Sequence, residues 1–462
     1  MEHGLLPWNH LKLQNKYLVT TSFGGWCILT SKEFHSFLHN KIDETLRKKL
    51  EDSQIILTSN NVEDVIKRYK GLKRLLFQGP SLHIISVTEQ CNHNCIYCQA
   101  NYTKGKKGHM NEETAMKVLE FIFETPSKAI AIEFQGGEPL LNWKIVKLII
   151  EEAERLNESY EKKDLRFSLV SNLSILDKEK LDFLVRHRVG LCTSLDGPSK
   201  VHNANRKFIN GEGSYQKLTE KMKMVKDVFD KYKLKFYALL TVTAYSLPYW
   251  KEIIDEYVKW GFDIIHLRFL NKLGKAKENW KEIGYTPEEF FDFWKKSMDY
   301  ILELNKKGVL LKERMSFVML QKILKGEDPG YTELMSPCGA GITQLLYNYN
   351  GNIYTCDEAR MLGEDMFLLG NVHTHTYKEV IRSENLVATC YASLIENYCE
   401  RCVFRSWCGT CPVINYATEG GILPKITQTF RCKVYKKQFA YLFNKIQNPE
   451  NLEIFKRWIN ED

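Results

Sequence analysis

The sequence lacks any apolar run long enough to cross a membrane. A transmembrane helix needs about 20 apolar residues in succession, and no stretch of about 18 occurs. The opening segment MEHGLLPWNHLK also lacks the basic and apolar regions of a secretory signal. We therefore expect a cytoplasmic protein with no membrane partner.

A strong charge imbalance is also missing. The net charge is +8 over 462 residues, and basic stretches such as KYKGLKR, NKKGVLLKER and KVYKKQF are spread along the chain. This pattern favours solvated faces over a surface for an acidic peptide or nucleic acid, and no nucleic-acid partner is expected. The length predicts two or three domains with a large core.

The number of cysteines is unusually high. The chain has 13 cysteines, with three at positions 91–98 and five at positions 390–411. Disulfides form in oxidising compartments, which the opening segment does not indicate. Clustered cysteines in a reducing compartment point instead to metal binding.

The chain divides into five predicted regions. Residues 1–80 form a small α+β domain, in which strands YLVTT and GWCIL precede helices SKEFHSFL and IDETLRKKLED. This domain is either a structural cap or a winged-helix-like module that docks a peptide. Residues 276–335 are predicted as a helical linker, residues 336–435 as a cysteine-rich domain and residues 436–462 as a closing helix.

The second region, residues 81–275, alternates strands with amphipathic helices. Its strand candidates are LHIISVT (82–88), AIAIEFQ (129–135), LRFSLVS (165–171), VGLCTSL (189–195), KFYALLTVT (235–243) and DIIHLRFL (263–270). Near-continuous apolar strands separated by helices predict parallel strands buried on both faces. The pattern fits an α/β fold, a partial (β/α)6 barrel of the TIM type, with functional groups at the carboxyl ends of its strands.

The first strand is followed by a three-cysteine loop, CNHNCIYC. Cys91, Cys95 and Cys98 can hold three irons of a cubane and leave the fourth iron open for a chelating molecule, with Tyr97 packed beside the cluster. The alternative is a zinc site completed by a residue such as His93. The loop resembles the signature of the radical S-adenosylmethionine (radical SAM) enzymes.

The sequence GGEP follows the second strand. Gly136 and Gly137 let the backbone approach a ligand, and Glu138 precedes Pro139. On its own this could be a tight turn. In the radical SAM family the matching motif grips the amino group of the methionine moiety, and the resemblance implies that role here.

Polar residues also follow the third and fourth strands. SLVSNLS offers Ser171 and Asn172, which could hydrogen-bond a ribose or carboxylate, although the family usually has Thr-Asn-Gly here. SLDGPSKVHNANR resembles a stretch of the peptide-modifying branch and offers Ser194, Asp196, His202 and Arg206. Arg206 could pair with the methionine carboxylate or form an ordinary surface salt bridge.

The cysteines of the last third resemble the SPASM extension, which carries two auxiliary 4Fe–4S clusters. The resemblance assigns Cys399, Cys402, Cys408 and Cys432 to the second auxiliary cluster, and Cys338, Cys356 and Cys411 to the first. The fourth position of the first could be open or filled by Cys390, water or a substrate group. A zinc ribbon is the alternative.

Asp357 directly follows Cys356. In the sulfatase-maturating relatives the aspartate that follows the matching cysteine resembles a general base, so Asp357 could take a proton from a substrate. The alternative is a solvated turn residue. Cys27 and Cys192 lie in apolar strand patterns and are predicted to be core residues.

The resemblance covers residues 81–435, and its segments LHIISVTEQCNHNCIYCQ, IEFQGGEPLLNW and CGAGITQLLYNYNGNIYTCDEARML come nearest to the B-type maturases of the His-Xaa-Ser peptide systems. It implies three 4Fe–4S clusters, S-adenosylmethionine, a reductant such as flavodoxin or ferredoxin, and a ribosomally made precursor peptide that is modified, most simply by a cross-link. Two alternatives stay open: a protein oxidase that forms formylglycine in a sulfatase, and a non-catalytic iron–sulfur or zinc module.

Overall fold

The computed structural model describes residues 4–100, 108–159, 162–394 and 397–460. The strands of this part of the chain are β1 (Gly4–Leu5), β2 (Trp8–Leu13), β3 (Lys16–Thr21), β4 (Trp26–Thr30), β5 (Ile56–Leu57), β6 (Leu82–Ser86), β7 (Ala129–Gln135), β8 (Asp164–Val170), β9 (Gly190–Ser194), β10 (Phe236–Thr241), β11 (Ile264–Ile265), β12 (Leu267–Arg268), β13 (Lys312–Glu313), β14 (Gln344–Tyr347), β15 (Asn352–Tyr354) and β16 (Leu368–Asn371).

The α-helices of the same part are α1 (Ser31–Leu38), α2 (Glu44–Asp52), α3 (Val62–Lys73), α4 (Glu112–Phe123), α5 (Trp143–Ser159), α6 (Lys178–Arg186), α7 (Ser199–Asn205), α8 (Tyr215–Tyr232), α9 (Trp250–Lys259), α10 (Gly274–Glu278), α11 (Trp280–Ile283), α12 (Pro287–Lys306), α13 (Arg314–Leu320), α14 (Asp357–Leu362), α15 (Tyr377–Val380), α16 (Glu384–Ala392), α17 (Asn397–Glu400), α18 (Pro412–Glu419), α19 (Phe430–Ile446) and α20 (Pro449–Asn460).

The central sheet has the strand order β12-β10-β9-β8-β7-β6-β14-β15-β16. Pairing is parallel from β6 to β10, between β10 and β12, and between β6 and β14, whereas β15 and β16 are antiparallel. The α/β class and the parallel barrel-like sheet predicted from the sequence are confirmed. The hairpin from the cysteine-rich region extends this sheet beside β6.

The helices cover the sheet because each has one apolar face. In α5 the side chains of Ile145, Ile149 and Ala153 are buried at helical spacing, which turns one stripe towards the strands. Burying a side chain of isoleucine size contributes about 1.5–3 kcal/mol. The opposite faces of the same strands remain partly open, as the alternating burial of β7 shows.

The prediction of one strand at 263–270 is wrong in its continuity. The segment breaks at His266 into β11, which pairs with β13, and β12, which pairs with β10. The carboxylate of Glu313 accepts the Leu267 N–H at 3.4 Å, so a side chain replaces a strand neighbour there. The predicted linker contains α12, whose Phe290 and Trp294 are fully buried in the main core. The five region boundaries stay predictions.

The first 80 residues contain an antiparallel sheet of order β2-β3-β4 followed by α1, α2 and α3. Strand β2 was not among the predicted strands, because WNHLKL has little alternation. This sheet touches the far end of the chain: the Thr20 hydroxyl donates to the Val403 carbonyl at 2.8 Å, and the Ser406 hydroxyl donates to the Thr21 carbonyl at 2.7 Å.

None of the helices in the described part of the chain combines the length and the apolar character that crossing a membrane requires.

Candidate active site

The cysteine loop starts where β6 ends, and backbone hydrogen bonds fix it. Asn94 N–H donates to the Lys207 carbonyl at 2.7 Å, and Ile96 N–H donates to the Asn205 carbonyl at 2.9 Å. The three thiols of Cys91, Cys95 and Cys98 are buried or half-buried on this loop. The loop is therefore held against the segment that follows β9.

Burial raises the pKa of each of these three thiols. The pKa of Cys91 is raised further by Glu138 and then by Cys95, and the pKa of Cys98 is raised further by Cys95. For Cys98 the pKa reaches about 12. With a raised pKa these thiols stay protonated near neutral pH. A metal cation that binds them displaces the proton, because the thiolate is the form that ligates metal. The effect of Cys95 on the pKa of both other thiols also places the three side chains close together.

The GGEP turn packs directly on the start of the cysteine loop. Gly136 has φ +149°, and a Cβ there would lie 2.3 Å from the Thr88 carbonyl oxygen, so no larger residue fits. Gly137 N–H donates to the same carbonyl at 2.8 Å, and Glu138 N–H donates to the Gln90 carbonyl at 2.8 Å. Two strand ends are thus joined through the backbone.

Glu138 is fully buried beneath this turn. Its carboxylate accepts hydrogen bonds from the Ser171 hydroxyl at 2.7 Å, the Asn172 N–H at 2.7 Å and the Leu140 N–H at 3.1 Å. Burial nevertheless raises the pKa of Glu138 to about 7. A carboxylate has about four acceptor positions, so one remains for a donor on a ligand.

Ser171 and Asn172 were predicted to contact a ligand. The structure places both beside the cysteine loop, where they hold Glu138, and the Asn172 amide also donates to Asn92 Oδ1 at 2.8 Å. Both residues line the cavity described below. Pro139 is buried and begins the short helical turn after Glu138.

Tyr97, Asp196 and Arg206 form one chain of hydrogen bonds. The Tyr97 hydroxyl donates to Asp196 Oδ2 at 2.8 Å, and Arg206 Nη1 donates to the Tyr97 oxygen at 2.5 Å. Arg206 forms no ion pair within 4 Å with a carboxylate in the described ranges, so the surface salt bridge is not observed. Ser194 lines the cavity with Tyr97 and Arg206, whereas Asp196 is fully buried behind them.

His202 has a structural place in this group. Its Nδ1 accepts the Asp196 N–H at 3.3 Å, and its Nε2 lies 3.0 Å from the Ser214 hydroxyl. It is 1% exposed, so it supports the loop that carries Asp196 rather than facing a ligand.

The structure brings the distal cysteines together in two groups. In the first, Cys338, Cys356 and Cys411 are buried and line the same cavity as the cysteine loop. Burial raises the pKa of the Cys356 thiol, and the acidic neighbours and the other two thiols raise it further. Cys390 lies near this group, with its Sγ 3.9 Å from the Ala340 carbonyl oxygen.

The second distal group lies around Cys408. Burial raises the pKa of the Cys408 thiol, followed by the effects of Cys402, Cys432 and Cys399. The four sulfurs are therefore neighbours. The loop from Cys399 to Cys408 is the segment whose Val403 carbonyl and Ser406 hydroxyl bind the first β-sheet, and Asn9 adds a bond to the Glu400 carbonyl at 3.0 Å.

Asp357 and Glu358 begin α14 immediately after Cys356. One ligand atom from each of these three residues lies within 4.8 Å of the others. Glu358 Oε1 accepts Arg268 Nη2 at 2.6 Å, whereas the half-buried Asp357 faces the cavity. Burial, and then the charge of Asp357, raises the pKa of Glu358.

The sequence analysis did not identify the charged residues that lie beside Asp357 and Glu358. Arg268 lies at the carboxyl end of the barrel, and Glu333 is held between it, at 3.5 Å, and Arg431 Nη1, at 2.7 Å. Arg268 stands in an otherwise apolar strand segment, which was the available signal. Nothing in the spacing indicated Glu333 or Arg431.

A single cavity of about 1500 Å³ joins these parts. The cysteine loop, the GGEP turn and the residues after β8 and β9 form one end of it. The first distal cysteine group, Asp357 and Arg268 form another part of its wall. Both cysteine sets therefore face a shared space at the carboxyl ends of the strands.

Residues 85–255 match the family model of the radical SAM superfamily. The segment that carries the cysteine loop and the GGEP turn is thus a radical SAM segment. It is 26% identical over 388 residues to the cysteine-type anaerobic sulfatase-maturating enzyme of Clostridium perfringens, a match that covers 80% of this chain and 98% of that protein. The radical SAM cyclopropyl synthase TigE of Paramaledivibacter caminithermalis is 26% identical over 213 residues, covering 42% of this chain and 44% of TigE.

Solved structures show the same fold. Native anSMEcpe with bound AdoMet superposes with a TM-score of 0.69 at 22% identity, covering 80% of this chain and 100% of that one. SuiB from Streptococcus suis bound to S-adenosylmethionine gives 0.55 at 15% identity, covering 90% and 97%. The radical SAM match over residues 85–255 implies a 4Fe–4S cluster and S-adenosylmethionine. Three clustered thiols, and a buried carboxylate with one acceptor position left, fit these two groups.

Proposed function

We propose that this enzyme uses S-adenosylmethionine to modify a ribosomally made precursor peptide, most simply by forming a cross-link within it. The observation that supports this most directly is the shared cavity of about 1500 Å³. Small-molecule pockets typically measure about 300–1,000 Å³. This cavity runs from the two cysteine sets to His187 and Lys233 at the amino ends of the strands, which leaves room for a peptide segment beside the clusters and the cosubstrate. The cluster and cosubstrate, once bound, supply a 5′-deoxyadenosyl radical that removes a hydrogen atom from the substrate.

The chain's own residues bind and orient the cosubstrate. Cys91, Cys95 and Cys98 would hold the cluster. Glu138 has one acceptor position left and would receive an N–H of the methionine amine, which favours the ionised carboxylate. The Arg206 guanidinium, already positioned by Tyr97, would pair with the methionine carboxylate.

Asp357 is the proposed base. Forming a cross-link removes two hydrogens from the peptide: one leaves as a hydrogen atom, and the other as a proton and an electron. Asp357 faces the cavity and would take that proton, since its neighbour Glu358 is already bound to Arg268. The auxiliary clusters would accept the electron.

We assign the distal cysteines to two further 4Fe–4S clusters. Cys399, Cys402, Cys408 and Cys432 supply four thiolates to the second auxiliary cluster. Cys338, Cys356 and Cys411 supply three to the first, with Cys390 as one candidate for the fourth ligand. Anaerobically reconstituted protein should hold about twelve irons, four for each cubane. Zinc in the distal region would contradict this assignment.

The substrate separates two candidate functions. A protein oxidase that forms formylglycine is supported by the 26% identity to a sulfatase-maturating enzyme over 98% of its length. Peptide modification is supported by the motif resemblance to the B-type maturases of the His-Xaa-Ser systems, and a fifth of this chain lies outside the sulfatase-maturase match. Among the solved structures with this fold, anSMEcpe occurs with a bound Kp18Cys peptide and SuiB with the precursor peptide SuiA.

The deciding experiment uses full-length reconstituted protein with dithionite, S-adenosylmethionine and candidate peptides. The precursor is sought as a short reading frame beside the gene, and a sulfatase-derived peptide is the rival substrate. Release of 5′-deoxyadenosine with a precursor product lighter by two hydrogens supports the proposal. An aldehyde, trapped by a hydrazide probe on the sulfatase peptide alone, supports the rival, and a Cys98→Ala variant is the inactive control.

The first domain is proposed as the docking site for the leader part of the precursor. Its sheet ends in the edge strands β2 and β4, and an extended peptide can add to such an edge. Deleting residues 1–75 should then weaken peptide modification more than uncoupled cosubstrate cleavage. We further propose a cytoplasmic setting, with flavodoxin or ferredoxin as the reductant.

A further inference from the structure

His93 is a buried residue of the cysteine loop to which the mechanism above gives no role. It lies midway between Cys91 and Cys95 and is 6% exposed. Its backbone forms an isolated antiparallel bridge with Phe208, and the two rings meet edge to face with centroids 4.6 Å apart. The ring position is therefore fixed by the fold.

Neither ring nitrogen of His93 has a hydrogen-bond partner within the described ranges. Two other buried histidines differ in this respect: His83 Nδ1 lies 3.0 Å from the Tyr347 hydroxyl, and His202 contacts Ser214. Buried polar atoms normally have a hydrogen-bond partner. Two buried ring nitrogens without one indicate a partner that the protein chain does not supply. A phenylalanine or leucine would pack on Phe208 without that cost.

The environment shows what kind of partner is required. His93 lines the cavity together with the three thiols of the loop and Arg206. Whether neutral or protonated, an imidazole ring carries at least one N–H donor. The bound group that belongs among these thiols is the 4Fe–4S cluster, whose sulfides accept hydrogen bonds.

We propose that the His93 imidazole donates its ring N–H to a sulfide of the cluster held by Cys91, Cys95 and Cys98, and thereby raises the reduction potential of that cluster. Reduction adds negative charge to the cluster, and a hydrogen bond to sulfur stabilises the more negative state. His93 is a positioning and tuning residue: it makes the cluster easier to reduce and is not itself an iron ligand.

The test compares wild type with His93→Phe in anaerobically reconstituted full-length protein. Phenylalanine keeps a ring on Phe208 and removes both nitrogens. The readout is a potentiometric titration that is monitored by EPR. Only the part of the signal that changes when S-adenosylmethionine is added is used, which separates this cluster from the others. We expect the ratio of reduced to oxidised cluster at a fixed potential to fall about tenfold, a shift of about 59 mV for one electron.

The matched control is His187→Phe. His187 also packs against a phenylalanine, Phe183, with centroids 4.2 Å apart, but it precedes β9, at the opposite end of the parallel sheet from the cysteine loop. Its substitution should leave the potential unchanged. A His93→Gln variant retains an N–H donor, and partial recovery of the potential there supports the proposal.

Two outcomes would overturn it. An unchanged potential in His93→Phe, with iron content and S-adenosylmethionine binding intact, would reduce His93 to a packing residue. Loss of the cosubstrate-sensitive cluster from both His93→Phe and His93→Gln would show that His93 is an iron ligand or is needed for the structure of the loop. Should His93→Phe fail to fold, pulsed EPR of wild type labelled with histidine that carries ¹⁵N in the ring only decides, because the His93 backbone N–H also donates to Cys91 Sγ at 3.4 Å. A weakly coupled ring nitrogen supports the hydrogen bond, and its absence refutes it.

Discussion

Replacing Glu138 with glutamine tests how the buried carboxylate binds the cosubstrate. The carboxylate is 0% exposed and accepts three hydrogen bonds from the protein. Glutamine has the same shape but has an NH₂ group in place of one oxygen. That group would face either the Asn172 N–H or the Ser171 hydroxyl, both of which donate in the wild type. The variant therefore loses the negative charge and one acceptor.

The pKa gives the size and the sign of the effect. Burial raises the pKa of Glu138 from 4.5 to about 7. At 1.36 kcal/mol per pH unit, ionised Glu138 carries a penalty of about 3 kcal/mol in the ligand-free protein. A donor on the ligand offsets part of that penalty, and hydrogen bonds to charged groups contribute about 1.5–3 kcal/mol. Glu138→Gln should thus weaken S-adenosylmethionine binding roughly 10- to 100-fold.

The wild type should also bind more tightly as the pH rises. Below pH 7 Glu138 holds a proton that the ligand's N–H must displace, so affinity should increase about tenfold between pH 6 and pH 8 and then level off. Glu138→Gln should lose this dependence. Ser171→Ala removes a donor that lowers the pKa of Glu138, so its profile should move to higher pH.

The assay is a titration of reconstituted protein with S-adenosylmethionine, followed by the change in the EPR signal of the reduced cluster. Glu133→Gln is the control, because Glu133 is a half-buried carboxylate of β7, the strand that precedes Glu138, and is bonded to Gln135 and Ser168. It should leave the pH midpoint in place. A wild-type affinity that is flat between pH 6 and pH 8 would refute the assignment of Glu138 as the acceptor.

Three further predictions concern other parts of the site. Asp357→Asn should lower peptide product formation by about 10²- to 10⁴-fold while 5′-deoxyadenosine release continues, measured by chromatography of the same reactions. Gly136→Ala places a Cβ 2.3 Å from the Thr88 oxygen, and the resulting strain of about 1–3 kcal/mol should weaken cosubstrate binding roughly 5- to 150-fold, as read from the same EPR titration. Thr20→Val leaves the Val403 carbonyl without its hydrogen bond, at a cost of about 1–3 kcal/mol. A chelator should then remove iron from the second auxiliary site faster, while cosubstrate cleavage stays unchanged. Equal loss of iron from all sites would contradict this.

The local parts of the site could be predicted because each motif lies next to a strand that produces it. The apolar run before Cys91 is β6, and the run before Gly136 is β7. Once the strands are parallel, their carboxyl ends meet at one edge, so the motifs converge without any long-range information. The same logic placed Ser171 and Ser194 beside them.

Contacts between distant segments could not be predicted in this way. Strand β14 pairs with β6 in parallel across more than 250 residues, and the sequence contains no periodicity that records this. Ser171 was expected to face a ligand because it ends a strand. The structure instead shows its hydroxyl bound to Glu138, since a buried carboxylate must collect its donors from neighbouring strands.

The parallel pairing of β14 also explains why two cysteine groups share one cavity. Strand β14 continues the barrel sheet beyond β6, and β15 returns antiparallel to it, so Cys356, which follows β15, comes back beside the edge of the barrel. Arg268, at the carboxyl end of β12 on the other edge of the sheet, then reaches Glu358 at 2.6 Å. The open side of the partial barrel is thus bridged by an ion pair with Asp357 next to it. A substrate that contacts Asp357 therefore lies in the cavity that both cysteine groups line.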